Sequence, residues 1–143
     1  MQRCKSILWL VLLSLISLAV VAQSRPYTPS PSSPERKTIM DALRTPVERE
    51  LRKQVIFKVN QLKVQDNWAF MRGMPLRPDS SPMDYRGTPY QQAIDDGVFD
   101  NWICALLHWQ GGEWRVVQYV IGATDVVYAD WSRRFGAPPA IFR

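Results

Sequence analysis

The chain has 143 residues, with 18 Lys plus Arg against 13 Asp plus Glu, one histidine and two cysteines. That length holds one domain once an export leader is set aside, and it excludes a two-domain architecture. The basic residues are scattered rather than gathered into a stripe, which argues against a nucleic-acid partner, and two cysteines cannot build a disulfide framework.

The first 22 residues read as a secretory signal. Arg3 and Lys5 supply a basic start, residues 7–21 form an apolar run broken only by Ser14 and Ser17, and Val20-Val21-Ala22 gives a small-residue exit. The run is shorter than the ~20 residues needed to span a bilayer. Cleavage is expected after Ala22, with Ala19 as a second site and an uncleaved anchor as the alternative. The membrane then enters only during export, and the destination is the periplasm or the medium. Loss of Arg3 and Lys5 lowers Lys plus Arg from 18 to 16, leaving a charge of about +3. Cys4 lies ahead of the apolar run, where lipidation would not use it, and it departs with the leader. Cys104 then remains alone, so the fold must stand on its core.

Residues 23–33 hold three prolines and four serines, a composition that predicts a disordered tether. The domain is expected over 34–143. Ser33-Pro34-Glu35 starts a helix, with serine as cap and proline in the first turn. Thr45-Pro46-Val47-Glu48 repeats the signal, so one bent helix or two abutting ones run to about residue 52. Ile39, Met40, Leu43, Val47 and Leu51 form its apolar line.

The period then changes to two. Val55, Phe57 and Val59 alternate on one parity, Leu62 and Val64 on the other, and a bulge near Asn60-Gln61 reconciles them. Asp66-Asn67 is the turn, and Trp68-Ala69-Phe70-Met71 the returning strand. Residues 73–89, with four prolines, read as a long irregular excursion of the kind that carries function. Thr88-Pro89 starts a short helix over 90–95, ended by Gly97. A strand over 98–109, a Gly111-Gly112 turn and a partner strand over 114–121 make the second hairpin. Thr124 is expected to cap a last helix through Tyr128, Trp131 and Phe135, with Gly136 and Pro138-Pro139 closing it.

This order predicts an α+β fold: an N-terminal amphipathic helix on a four-stranded antiparallel sheet, plus a short C-terminal helix. Ile103, Ala105, Leu107 and Trp109 face one way on the third strand, and Trp102, Cys104, Leu106 and His108 the other. The fourth strand is expected to set Trp114, Val116 and Val120 against Val117, Tyr119 and Ile121. Both faces are apolar, so a second cover is required. The 73–89 loop, the last helix, a ligand or a second subunit could supply it.

The candidate ligand pocket is aromatic: Trp68, Tyr90, Trp102, Trp114 and Tyr119, with His108 beside them. Aromatic side chains also dominate small cores, and packing alone accounts for such a set. Cys104 and His108 share a face but sit ~13 Å apart on a strand, too far for one metal ion or a nucleophile–base pair. Asp95, Asp96 and Asp100 cluster around Gly97 without calcium-loop spacing, and read as a helix end and turn. No cofactor motif is present, and no catalytic residue is assigned.

Four segments together carry a resemblance: Ile39-Met40-Asp41-Ala42-Leu43-Arg44, Val55-Ile56-Phe57-Lys58-Val59, Trp68-Ala69-Phe70 and Ile121-Gly122-Ala123-Thr124-Asp125-Val126. The chain resembles small exported bacterial proteins with a cystatin-like or NTF2-like α+β layout. The resemblance implies a fold over about residues 34–142 and an export route, and it carries no catalytic residues. Three functions are compatible. The first is a non-enzymatic envelope module that binds a protein partner, a second copy of itself through the second sheet face, or a small apolar ligand. The second is an NTF2-like enzyme with His108 or Asp100 as acid or base. The third is a secreted inhibitor or immunity-type module.

Overall fold

A computed structural model describes residues 24–143; the expected leader and its expected cleavage site lie outside them. Helix α1 (Pro34–Leu51) starts where Ser33 Oγ accepts from Arg36 N at 3.2 Å and ends at Arg52, in the left-handed region at φ 54°. It passes through Pro46 as one helix, and buries Ile39, Met40, Leu43, Val47 and Leu51. The connection to the sheet is tied back to the helix. Arg44 Nε donates to Val55 O at 3.0 Å, and Val55 N donates to Glu48 Oε1 at 2.9 Å.

Four strands follow as an antiparallel meander: β1 (Ile56–Gln65), β2 (Trp68–Leu76), β3 (Ile103–Gln110) and β4 (Glu113–Ile121), in spatial order 1-2-3-4. The register of β1 on β2 slips between Val59 and Gln61. This bulge brings Phe57, Val59, Leu62 and Val64 onto the helix-facing side. Asp66 and Asn67 turn at φ 50° and 65°, and Gly111 and Gly112 at 59° and 83°. Two successive positive φ values match the right-handed twist of a two-residue hairpin.

β2 runs on to Leu76, so the excursion begins at Arg77 rather than Gly73. Pro75 is tolerated because β2 pairs with β3 only as far as Gly73. Beyond it, β2 has no ladder on that side for a missing N–H to break. β3 likewise begins at Ile103, not at residue 98. Residues 98–102 are irregular, held by Asp100 N to Gly122 O and Gly122 N to Trp102 O. Within the excursion lies α2 (Gln91–Asp95), and Met83 and Tyr85 reach the core.

β4 departs from simple alternation. Its register on β3 shifts between Leu106 and Leu107, leaving Val117 as the additional residue. The slip places Trp114, Val116, Tyr119 and Ile121 on the α1 side, and Val117 and Val120 on the other. The expected grouping of β4 side chains is thereby corrected, because a bulge inverts parity from that point on.

The second sheet face is covered by the chain's own C-terminal segment. Helix α3 is only five residues (Trp131–Phe135), and residues 124–130 are turns rather than the expected start of a helix. Gly136 ends it in the left-handed region at φ 76°, and a 3-10 turn follows at Pro139–Phe142. Trp131, Ala137 and Ile141 are buried there with Phe70, Cys104 and Leu106, while Tyr128 and Phe142 pack at their edge. Gln61 Nε2 clips the end of the chain by donating to Ile141 O and Arg143 O.

The Pro/Ser segment also differs from expectation. Residues 24–33 lie docked along β1 instead of leaving as a free tether. Tyr27 and Val64 exchange both backbone hydrogen bonds, at 2.9 and 2.8 Å. Gln65 Nε2 donates to Ser24 O at 2.6 Å, and Pro29 is buried. β1 is a sheet edge with free backbone groups, and an extended segment satisfies some of them whatever its composition.

Candidate functional site

The aromatic residues expected to share one pocket separate into three places. Trp68 and His108 stack on each other at 4.1 Å between ring centroids on the C-terminal side of the sheet. Gln110 Nε2 lies 2.6 Å from His108 Nδ1. Trp102 is on that same side but at the far end of β3, against Tyr128 at 6.4 Å. Cys104 lies between them, fully buried, and burial pushes its thiol up to about 12. His108 lies near the end of β3 and Asp100 in the irregular segment before its start, with the strand from Ile103 to His108, about 16 Å of extended chain, between them, so they form no acid–base pair.

Tyr90 and Tyr119 come together on the other face. Both hydroxyls donate to the Glu50 carboxylate, one to each oxygen. This joins the last turn of α1 to the residue before α2 and to β4. Burial first and Glu50 second raise both phenols above their ordinary range. Tyr85, pushed up to about 12 by burial, donates to Asn101 Oδ1 at 2.7 Å. These contacts fasten the excursion. Lys53 fastens its other end, donating from Nζ to the carbonyls of Asp84 and Arg86, and Asp84 grips Arg86 within the excursion at 2.9 Å. The nearby acidic cluster is locally engaged, Gln91 donating to Asp95 and Gln92 to Asp96. Among the described residues no group of three His, Cys, Asp or Glu side chains is placed to hold a metal ion.

Trp114 stands in the third place, at the end of the sheet where the two hairpin turns lie side by side. Trp109 N donates to Asn67 O at 2.8 Å and binds one turn to the other. Trp109 and Trp114 are register partners, with ring centroids 5.6 Å apart and planes at 67°. Beside them lies a groove of about 550 Å³. Val64 and Trp114 form its floor, being nearly buried; Trp109 and Tyr27 remain 39% and 48% exposed along it.

Each wall has a local cause. Tyr27 is placed by its two bonds to Val64, and its hydroxyl donates to Glu35 Oε1 at 2.8 Å. Burial pushes that phenol up to about 12, with Glu35 adding to the effect. Glu35 and Thr38 come from the first turn of α1, set by the Ser33 cap. Asp66 comes from the β1–β2 turn, and Ser24 Oγ donates to its Oδ1 at 2.6 Å. Concave, mostly apolar walls with a few convergent polar groups are the usual makings of a small-molecule site.

Of the six sequence-stated pocket residues, only Trp114 lines this groove. Tyr27, Glu35, Asp66 and Trp109 were missed. Two signals pointed to them: a tyrosine set alone in a Pro/Ser stretch, and two tryptophans facing each other across a Gly-Gly turn. No protein-family model, curated protein or solved structure matches this chain.

Proposed function

We propose that the protein is an exported binding module of the bacterial cell envelope, with a cystatin-like or NTF2-like layout, that takes a small ligand in the groove between its N-terminal segment and its two hairpin turns. The observation that carries this reading is the aromatic trio Tyr27, Trp109 and Trp114 around one 550 Å³ depression. Tyr27 and Trp109 stand exposed beside the nearly buried Trp114, and burying such aromatic surface against a ligand is favourable. The argument for a dimer through the second sheet face loses its ground, because Trp131, Ala137 and Ile141 already cover that face. Export rests on the leader: its basic start, apolar run and Ala22 exit.

Protein expressed with its own leader and recovered from the periplasm tests both parts. The expected mass begins at Gln23, with a monomer that carries non-covalent mass in native mass spectrometry. That mass is expected to be lost in Tyr27→Ala and Trp109→Ala and kept in Trp102→Ala. A chain beginning at Met1 would overturn export. A bound mass indifferent to Tyr27 and Trp109, or a stable dimer with an empty groove, would overturn the assignment of the site.

A further inference from the structure

The lining of the groove says what kind of ligand it takes. Three aromatic side chains surround it, together with two carboxylates, Glu35 and Asp66. Among the described residues no lysine or arginine lines it, although the chain as a whole has more Lys plus Arg than Asp plus Glu. Each carboxylate spends one oxygen on a neutral hydroxyl: Glu35 Oε1 on Tyr27, Asp66 Oδ1 on Ser24. Among the described residues neither forms an ion pair, as is true of most carboxylates of this chain, so what sets these two apart is their place beside the aromatic wall. Aromatic faces carry negative quadrupole potential, and a cation held over them gains most when it is also partly desolvated.

We infer that the groove selects an alkylammonium cation, seated against Trp109, Trp114 and Tyr27 and balanced by Glu35 and Asp66. This rests on the groove being the binding site. It explains two features that an apolar ligand leaves without purpose. The carboxylates are oriented by Tyr27 and Ser24 rather than neutralised by a basic side chain, and the N-terminal segment is docked so that its one tyrosine closes the aromatic wall. An ammonium group buried against a tryptophan pair and a carboxylate meets both its needs, polarisable contact and charge balance, without a metal or cofactor.

The test compares choline with 3,3-dimethylbutan-1-ol, its uncharged isostere, on the leader-free protein, following the indole N–H signals of Trp109 and Trp114. Choline is expected to move both signals saturably. The alcohol is expected to bind at least tenfold more weakly. Glu35→Gln, which keeps size and removes charge, is expected to weaken choline about fivefold to tenfold, and Trp109→Leu by a similar factor. Equal binding of choline and the alcohol at the two indoles would keep the groove as the site and overturn the cation. Neither compound moving the groove signals would overturn both. Pelleting with phosphatidylcholine but not phosphatidylglycerol vesicles would place the cation on a lipid; choline binding without pelleting would place it on a free solute.

Discussion

Gly73 faces the peptide of Lys58 with no room between them. A Cβ built there would lie 2.4 Å from Lys58 O, which is backbone and cannot swing aside. Gly73→Ala is therefore expected to cost about 1–3 kcal/mol or more, read as a lower urea midpoint with unchanged slope. Gly111→Ala meets nothing within 4 Å and bears only the strain of its positive φ, about 1–2 kcal/mol. Cys104 makes a second residue-scale prediction. Its side chain is wholly buried and its thiol is pushed up to about 12, so iodoacetamide at pH 8 should leave it unmodified in folded protein and label it fully in denaturant. Rapid labelling without denaturant would contradict the burial. The buried cysteine was legible, since an apolar strand flanks it on both sides. The close approach at Gly73 was not, because sequence shows a glycine but not the carbonyl across from it.

The 77–102 excursion is held at two points with opposite pH responses. Glu50 takes hydroxyls from Tyr90 and Tyr119, whose phenols are raised. A raised phenol favours the protonated folded form, so this contribution is whole below pH ~10 and declines as pH rises beyond it. Asp84 is held well below the usual carboxylate range, first by hydrogen bonds from Arg86. Its contribution is whole above pH ~4 and declines as pH falls below that. Amide exchange in the excursion should accordingly stay slow between these limits and quicken outside them. Tyr119→Phe should weaken the alkaline arm of that response, which Tyr90 still carries, at a cost of about 1 kcal/mol at neutral pH, and Tyr90→Phe with Tyr119→Phe should remove the Glu50 part of it. Helix α1, both hairpins and the β1 bulge were legible because each has a period and a terminator. The last helix was not. Tyr128, Trp131 and Phe135 keep helical spacing, yet residues 124–130 are turns, with the β-branched pair Val126-Val127 favouring helix little. What orders these side chains is the sheet face below them, with Phe70 against both Tyr128 and Trp131.

At the scale of the molecule, one sheet is sealed on both sides by parts of the same chain, α1 on one face and residues 131–142 on the other. The need for a second cover was readable from the two apolar parities of β3, but its supplier was one of four options. Trp131→Ala should cost about 3–5 kcal/mol in chemical denaturation. A chain ending at Asp130 should bind the dye ANS, and its Cys104 should become reactive, because Phe70, Cys104 and Leu106 lose their cover. A truncated chain with native protection of Cys104 would mean that the C-terminal segment seals nothing. The groove was hidden for a related reason. Its parts come from residues 24–38, 64–67 and 109–114, and only the docking of a segment that composition marks as disordered brings them together.

Both ends of the described chain finish on one strand. Ser24 is held at Gln65, and Arg143 at Gln61. Three strand residues separate those anchors, four steps or about 13 Å of extended chain. The fold is therefore nearly a closed ring, cut between two points that a linker of roughly six residues would bridge. A permutant joined there and reopened at Asp79-Ser80, an exposed turn on the excursion, should reach the same four-stranded sheet with the same far-ultraviolet circular dichroism. Its two new termini would emerge well away from Trp109 and Trp114, leaving the aromatic end of the molecule as a continuous surface with no chain end beside it.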